Sequence, residues 1–96
     1  MTAQYKADLS LAQTKLHDKR NSVLFDIDSM VLTKTRTYSD GEHRFYDVKA
    51  SSTNEHKPFA EGTICIMEMD GEPVSVARYG FHYPGEGARL LGEEQA

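Results

Sequence analysis

The chain has 96 residues, 39% of them apolar and nine of them aromatic, with a formal net charge of −4. That length gives one domain with a modest core and leaves little volume for a deep catalytic cleft. The charge is divided: residues 1–38 hold six Lys/Arg and four Asp/Glu (+2), and residues 39–96 hold five and eleven (−6), so the acidic majority repels phosphate backbones and no direct nucleic-acid binding is expected.

Cys65 is the single cysteine, so no intramolecular disulfide framework exists and a reducing compartment suits the chain. The first residues carry no apolar signal region, and no run approaches a membrane-spanning length. The expectation is a soluble cytoplasmic protein, phage or bacterial in character, that binds no membrane.

Residues 3–20 read as a helix. Tyr5, Leu9, Ala12 and Leu16 recur at spacings of four, three and four, which sets them on one face, and Thr2 is placed to cap the start. Residues 21–31 satisfy two periods. Val23, Leu24, Ile27, Met30 and Val31 continue a helix, while Val23, Phe25 and Ile27 alternate as in a strand. The helix is taken as the expectation, ending near residue 29.

Residues 31–38 are rich in Thr and Val and alternate, which predicts a strand. A turn over residues 39–42 returns the chain as a second strand over residues 43–50. With Asp40-Gly41 as the loop, Lys34 faces Asp47 and Thr35 faces Tyr46, and Val31, Thr33, Tyr46 and Val48 share a face. Residues 51–62 form a polar connection.

Residues 62–83 carry the clearest local signal. Two apolar-rich runs flank Asp70-Gly71, a dipeptide suited to a two-residue hairpin loop. An unbroken register pairs Met67 with Val74 and Cys65 with Val76 on one face, and Ile66 with Ser75 and Ile64 with Ala77 on the other. Both faces are then apolar, which asks for a second covering surface and suggests a homo-oligomer, dimer or larger. Residues 84–87 break the strand, residues 88–91 form a short docking turn, and residues 93–96 are a frayed tail beyond a single domain over residues 1–92.

Residues 24–32 run from an apolar stretch into Asp26-Ile27-Asp28. This resembles the first motif of the haloacid-dehalogenase phosphatases, where the first Asp is the nucleophile, the second the acid/base, and the pair holds magnesium. Ser29-Met30 stand where that motif has Gly-Thr, and its doubly wound fold is too large for this chain. His17, His43, His56, His82 and Cys65 lie at least eight positions apart, without the close ligand pairs of a zinc site. No catalytic residue, metal ligand or cofactor is assigned.

Two binding constellations remain. Consecutive hairpins place their turns at one end of a sheet, which gathers Asp40, Glu42, Glu68, Asp70 and Glu72 into an acidic edge suited to a basic protein. The exit of the second hairpin offers Arg78, Tyr79, His82, Tyr83, Gly85, Gly87 and Arg89 to a small anionic ligand or a nucleotide. The expected fold is α+β: an N-terminal amphipathic helix on a four-stranded antiparallel sheet of order 1-2-3-4. The expected function is non-catalytic, a stoichiometric inhibitor of a larger basic protein, similar in character to immunity proteins and phage counter-defence proteins. The alternative is an oligomeric binder of a small anion through residues 78–89.

Overall fold

The computed structural model describes residues 2–20, 22–84 and 90–91, with backbone alone at residues 78, 79, 90 and 91. Helix α1 (Ala3–Lys15) is followed by a two-residue hairpin, β1 (His17–Asp18) and β2 (Val23–Leu24). Then come β3 (Asp26–Tyr38), β4 (Gly41–Ser51), β5 (Phe59–Met69), β6 (Glu72–His82) and β7 (Leu90–Leu91). β3 to β7 form one antiparallel sheet in sequence order. The architecture is α+β, with the helix packed on one face of a meander of four long strands. The short β7 pairs with β6 at residues 81 and 82.

The Thr2 hydroxyl accepts the Tyr5 N–H and caps α1. Ala12 and Leu16 are buried from its apolar stripe, and Tyr5 and Leu9 are partly buried. The helix ends at Lys15, short of the expected residue 20, and Leu16 is extended. Ser22 adopts φ 55°, so the chain turns there and residues 23–24 and 26–31 enter strands, overturning the helical expectation. The deciding influence is tertiary. Antiparallel pairing with β4 sets Met30 beside Val48 in the core.

Gln13 ties the helix to the start of β3. Its Nε2 donates to the Phe25 carbonyl at 2.6 Å and its Oε1 accepts the Ile27 N–H at 3.0 Å. Tyr5 adds a hydroxyl bond to the Met30 carbonyl at 2.9 Å. Under the helix and the β1–β2 hairpin lie Met30, Tyr46, Val48, Ala50, Ala60, Ile64, Ile66 and Phe81. Phe25 meets Phe81 edge to face at 5.7 Å and lies 5.9 Å from the Tyr83 ring.

A displaced loop and a bulge correct the first expected register, and a bulge corrects the second. The first hairpin turns on Ser39-Asp40, with Tyr38 opposite Gly41 and Lys34 opposite Phe45. A shift at Thr33 then sets Leu32 beside Tyr46 and Val31 beside Asp47, so Val31 lies on the face away from the helix. Asp70-Gly71 is the loop of the second hairpin, with φ of 53° and 85°, the positive pair that a type I′ turn requires. An extra residue at Val74 moves Val76 opposite Ile66 and Ala77 opposite Cys65. The larger apolar residues of this hairpin therefore share the helix-covered face. The open face keeps Cys65, Met67, Ser75 and Ala77, a smaller apolar area than an unbroken register gives.

The connection of residues 52–58 is tied to itself. Ser52 N–H donates to the Pro58 carbonyl at 2.9 Å, and the Asn54 side-chain oxygen accepts the N–H groups of His56 and Lys57. Tyr83 closes the far end of the core, its hydroxyl donating to buried Asp18 at 2.6 Å.

Candidate functional site

The helix stripe of Tyr5, Leu9, Ala12 and Leu16 also contains Asp8, three residues after Tyr5 and four before Ala12. On β4, Arg44 alternates with Tyr46, Val48 and Ala50. Both charged side chains consequently enter the interior and are almost fully buried. A buried carboxylate and guanidinium are tolerable only when paired and hydrogen-bonded. Arg44 Nε and Nη2 grip Asp8 as a fork at 2.7 and 2.9 Å. The Tyr46 hydroxyl donates to the same carboxylate at 2.5 Å.

The remaining Arg44 nitrogen reaches toward the turns. Nη1 donates to Glu42 at 3.0 Å and to Glu68 at 2.7 Å. Three carboxylates thus share one guanidinium, a local balance of −2. The Asp8 hydrogen bond is the largest influence on Arg44 and outweighs its burial, so the guanidinium is held even more firmly protonated than usual. Burial, followed by the bond to Asp8, pushes the Tyr46 hydroxyl up.

The two long hairpins meet at this end. Asp70 N–H donates to the Asp40 carbonyl at 3.1 Å, which locks one loop against the other. Gly41 allows the approach: a Cβ there would lie 1.9 Å from the Glu68 carbonyl oxygen. The exposed tips Asp40, Asp70 and Glu72 therefore stand beside the partly buried Glu42 and Glu68. A cleft of about 340 Å³ opens here between α1 and the second turn. Ala3, Ala7, Gly71 and Pro73 give it small walls, and Glu68 and Glu72 supply carboxylates.

The residues singled out at the other end are dispersed. His82 lines a shallow groove of about 500 Å³ on the open face, with Ser29, Asp47, Lys49, Glu61 and Thr63. Its Nδ1 lies 2.7 Å from the Gly80 carbonyl, an acceptor, so that nitrogen carries a proton. Tyr83 is a core residue, spent on Phe25 and Asp18. The side chains of Arg78 and Tyr79, and all of Gly85, Gly87 and Arg89, lie outside what the structure describes.

Asp26 and Asp28 sit on an edge strand of an antiparallel sheet, both exposed, and Asp28 accepts the Ser51 hydroxyl. That setting differs from the parallel sheet of the phosphatases whose first motif they resemble. Cys65 is buried between Phe45 and Ala77 in the strand register, and burial pushes its thiol up. Among the described residues, no three His, Cys, Asp or Glu side chains are grouped to hold a metal ion. No helix among them is long and apolar enough to cross a membrane. No known protein family, curated protein or solved structure matches the chain.

Proposed function

We propose that the protein is a non-catalytic, stoichiometric inhibitor that docks its acidic end on a larger basic protein in the cytoplasm. The contact between the two turns carries this reading. Asp70 N–H bound to the Asp40 carbonyl makes two hairpin tips into one rigid acidic platform. Arg44 pins Glu42 and Glu68 behind it, so those carboxylates lose little conformational freedom when a partner arrives. An uncompensated acidic surface speeds encounter with a basic one and discriminates against acidic competitors. The small-walled cleft sets the carboxylates of Asp8, Glu68 and Glu72 against the Arg44 cation, a negative balance that favours a lysine or arginine side chain of the target at Glu72.

The test is affinity capture from a lysate with the wild-type chain and with D40K/D70K/E72K, both first shown to be folded by circular dichroism. Glu42 and Glu68 stay unchanged because they hold Arg44. The wild type is expected to retain a basic protein in a salt-sensitive way, and the variant is expected to lose it. Retention by both chains, or capture of acidic proteins alone, ends the proposal. The anionic-ligand alternative draws less support, because Asp47 and Glu61 share the groove with Lys49 and outnumber it.

A further inference from the structure

Among the described residues β3 has a strand neighbour on one side only, β4, and every residue from 31 to 38 is exposed. A free edge presents unpaired backbone donors and acceptors, which natural sheets blunt with bulges and charged side chains. Here the blunting is selective. The shift at Thr33 turns Lys34 and Arg36 to the open face, opposite Phe45 and His43. Lys34 Nζ lies 5.7 Å from the centre of the Phe45 ring. Among the described residues neither cation forms an ion pair. Residues 31–38 contain no carboxylate, in a chain whose net charge is −4.

A second copy meets repulsion at this edge. A two-fold pairing that continues the sheet keeps open-face residues opposite open-face residues. Centred on Thr35, it sets Lys34 against Arg36 of the other copy, twice. Centred on Lys34 or Arg36, it sets that cation against itself. Registers further along run out of strand at Tyr38, and earlier ones meet the bulge at Thr33. Like charges directly opposite destabilise a strand pair, and opposite charges stabilise it.

We propose that the free edge of β3 is a strand-addition site for an extended acidic segment of another protein, with carboxylates two residues apart facing Lys34 and Arg36. Backbone hydrogen bonds supply affinity and the two cations supply selectivity for charge sign. Exposed Val31, Leu32 and Tyr38 give apolar contact along the same edge. The site uses no residue of the acidic platform, so its failure and the failure of the inhibitor reading are separate outcomes.

The test uses the full chain and a synthetic probe, a short end-blocked peptide of Thr and Val with Glu at two alternate positions, beside a counterpart with Lys at those positions. Fluorescence anisotropy at low salt measures binding, and amide hydrogen exchange locates it. The Glu probe is expected to bind roughly tenfold tighter than the Lys probe, the effect of exchanging two repulsive cross-strand pairs for two attractive ones. It is also expected to protect alternate amides within residues 31–38. N-methylation of its strand-facing amides is expected to abolish binding. K34E/R36E, which alters two exposed side chains, is expected to reverse the preference. Equal binding of both probes, no binding of the Glu probe at millimolar concentration, or protection confined to other strands overturns the proposal.

Discussion

Replacing Asp8 by alanine is expected to be among the most damaging substitutions in the chain. Asp8 is fully buried and accepts two bonds from Arg44 and one from Tyr46. D8A leaves the Arg44 Nε and Nη2 facing apolar surroundings and strips the Tyr46 hydroxyl of its acceptor. Glu42 and Glu68 cannot substitute, because both lie on the Nη1 side of the guanidinium. Removing one partner of a buried ion pair costs about 3–5 kcal/mol. A domain of this size holds about 5–15 kcal/mol in all. Urea unfolding followed by circular dichroism measures the loss, and the melting temperature is expected to fall by at least about 12 °C. The double variant D8A/R44M removes both buried charges and is expected to recover much of the stability. A D8A loss below about 1 kcal/mol, or a double variant no more stable than D8A, refutes the view that Arg44 depends on Asp8.

Three further expectations rest on other parts of the fold. Burial raises both the Cys65 thiol and the Tyr46 hydroxyl, so the native state keeps those protons at pH values where the unfolded chain has released them. Stability is then fully present below the ordinary thiol value, about 8.5, and falls as pH rises above it. Unfolding free energies measured from pH 7 to 11 should show that decline, and C65A should delay its onset; an unchanged onset contradicts the assignment. G41A forces a Cβ against the Glu68 backbone and is expected to cost about 1–3 kcal/mol and to accelerate amide exchange at Asp70; wild-type exchange there refutes the role given to Gly41. R36E places a carboxylate opposite Lys34 of the other copy, twice, in the register centred on Thr35, so both cross-strand pairs become attractive. Sedimentation velocity should show R36E self-associating more strongly than the wild type, and an unchanged association state contradicts the charge account of the β3 edge.

The positions that were legible in the sequence are those where one residue type meets one local requirement. Asp70-Gly71 supplies two positive φ angles, and the hairpin loop falls there. The Tyr5, Leu9, Ala12 and Leu16 spacing marks the helix face that packs on the sheet. Meander order alone places both turns at one end, where Asp40 and Asp70 touch. The bulges were not legible. An inserted residue leaves the alternation intact on either side of it, and neither Thr33 nor Val74 is a type that demands one. Residues 23–31 fit two periods, and only pairing with β4 decides between them. The buried pair did leave a trace: Asp8 falls on the apolar stripe and Arg44 falls in step with Tyr46 and Val48. Each reads as an isolated flaw until the fold brings the two together, and then Glu42 and Glu68 cease to be free members of the acidic edge.

The Thr33 bulge links the interior pair to the outer surface. Without it, the pleat established by Met30 and Leu32 would carry Lys34 and Arg36 onto the helix-covered face, the face that holds Arg44. Three cations would then share the face of Asp8, Glu42 and Glu68, although this stretch of β3 stays exposed on either face. The extra residue turns both cations outward and brings Thr35 opposite Arg44 instead. Thr33 fastens the distortion with its hydroxyl, which donates to the Phe45 carbonyl at 3.2 Å. Among the described residues Arg44 is then the one cation bonded to Asp8, Glu42 and Glu68, and the inserted residue leaves Lys34 and Arg36 on the open face of the edge. Glu42 and Glu68, which hold Arg44, lie on the helix-covered face and Lys34 and Arg36 on the open one, because of that one inserted residue.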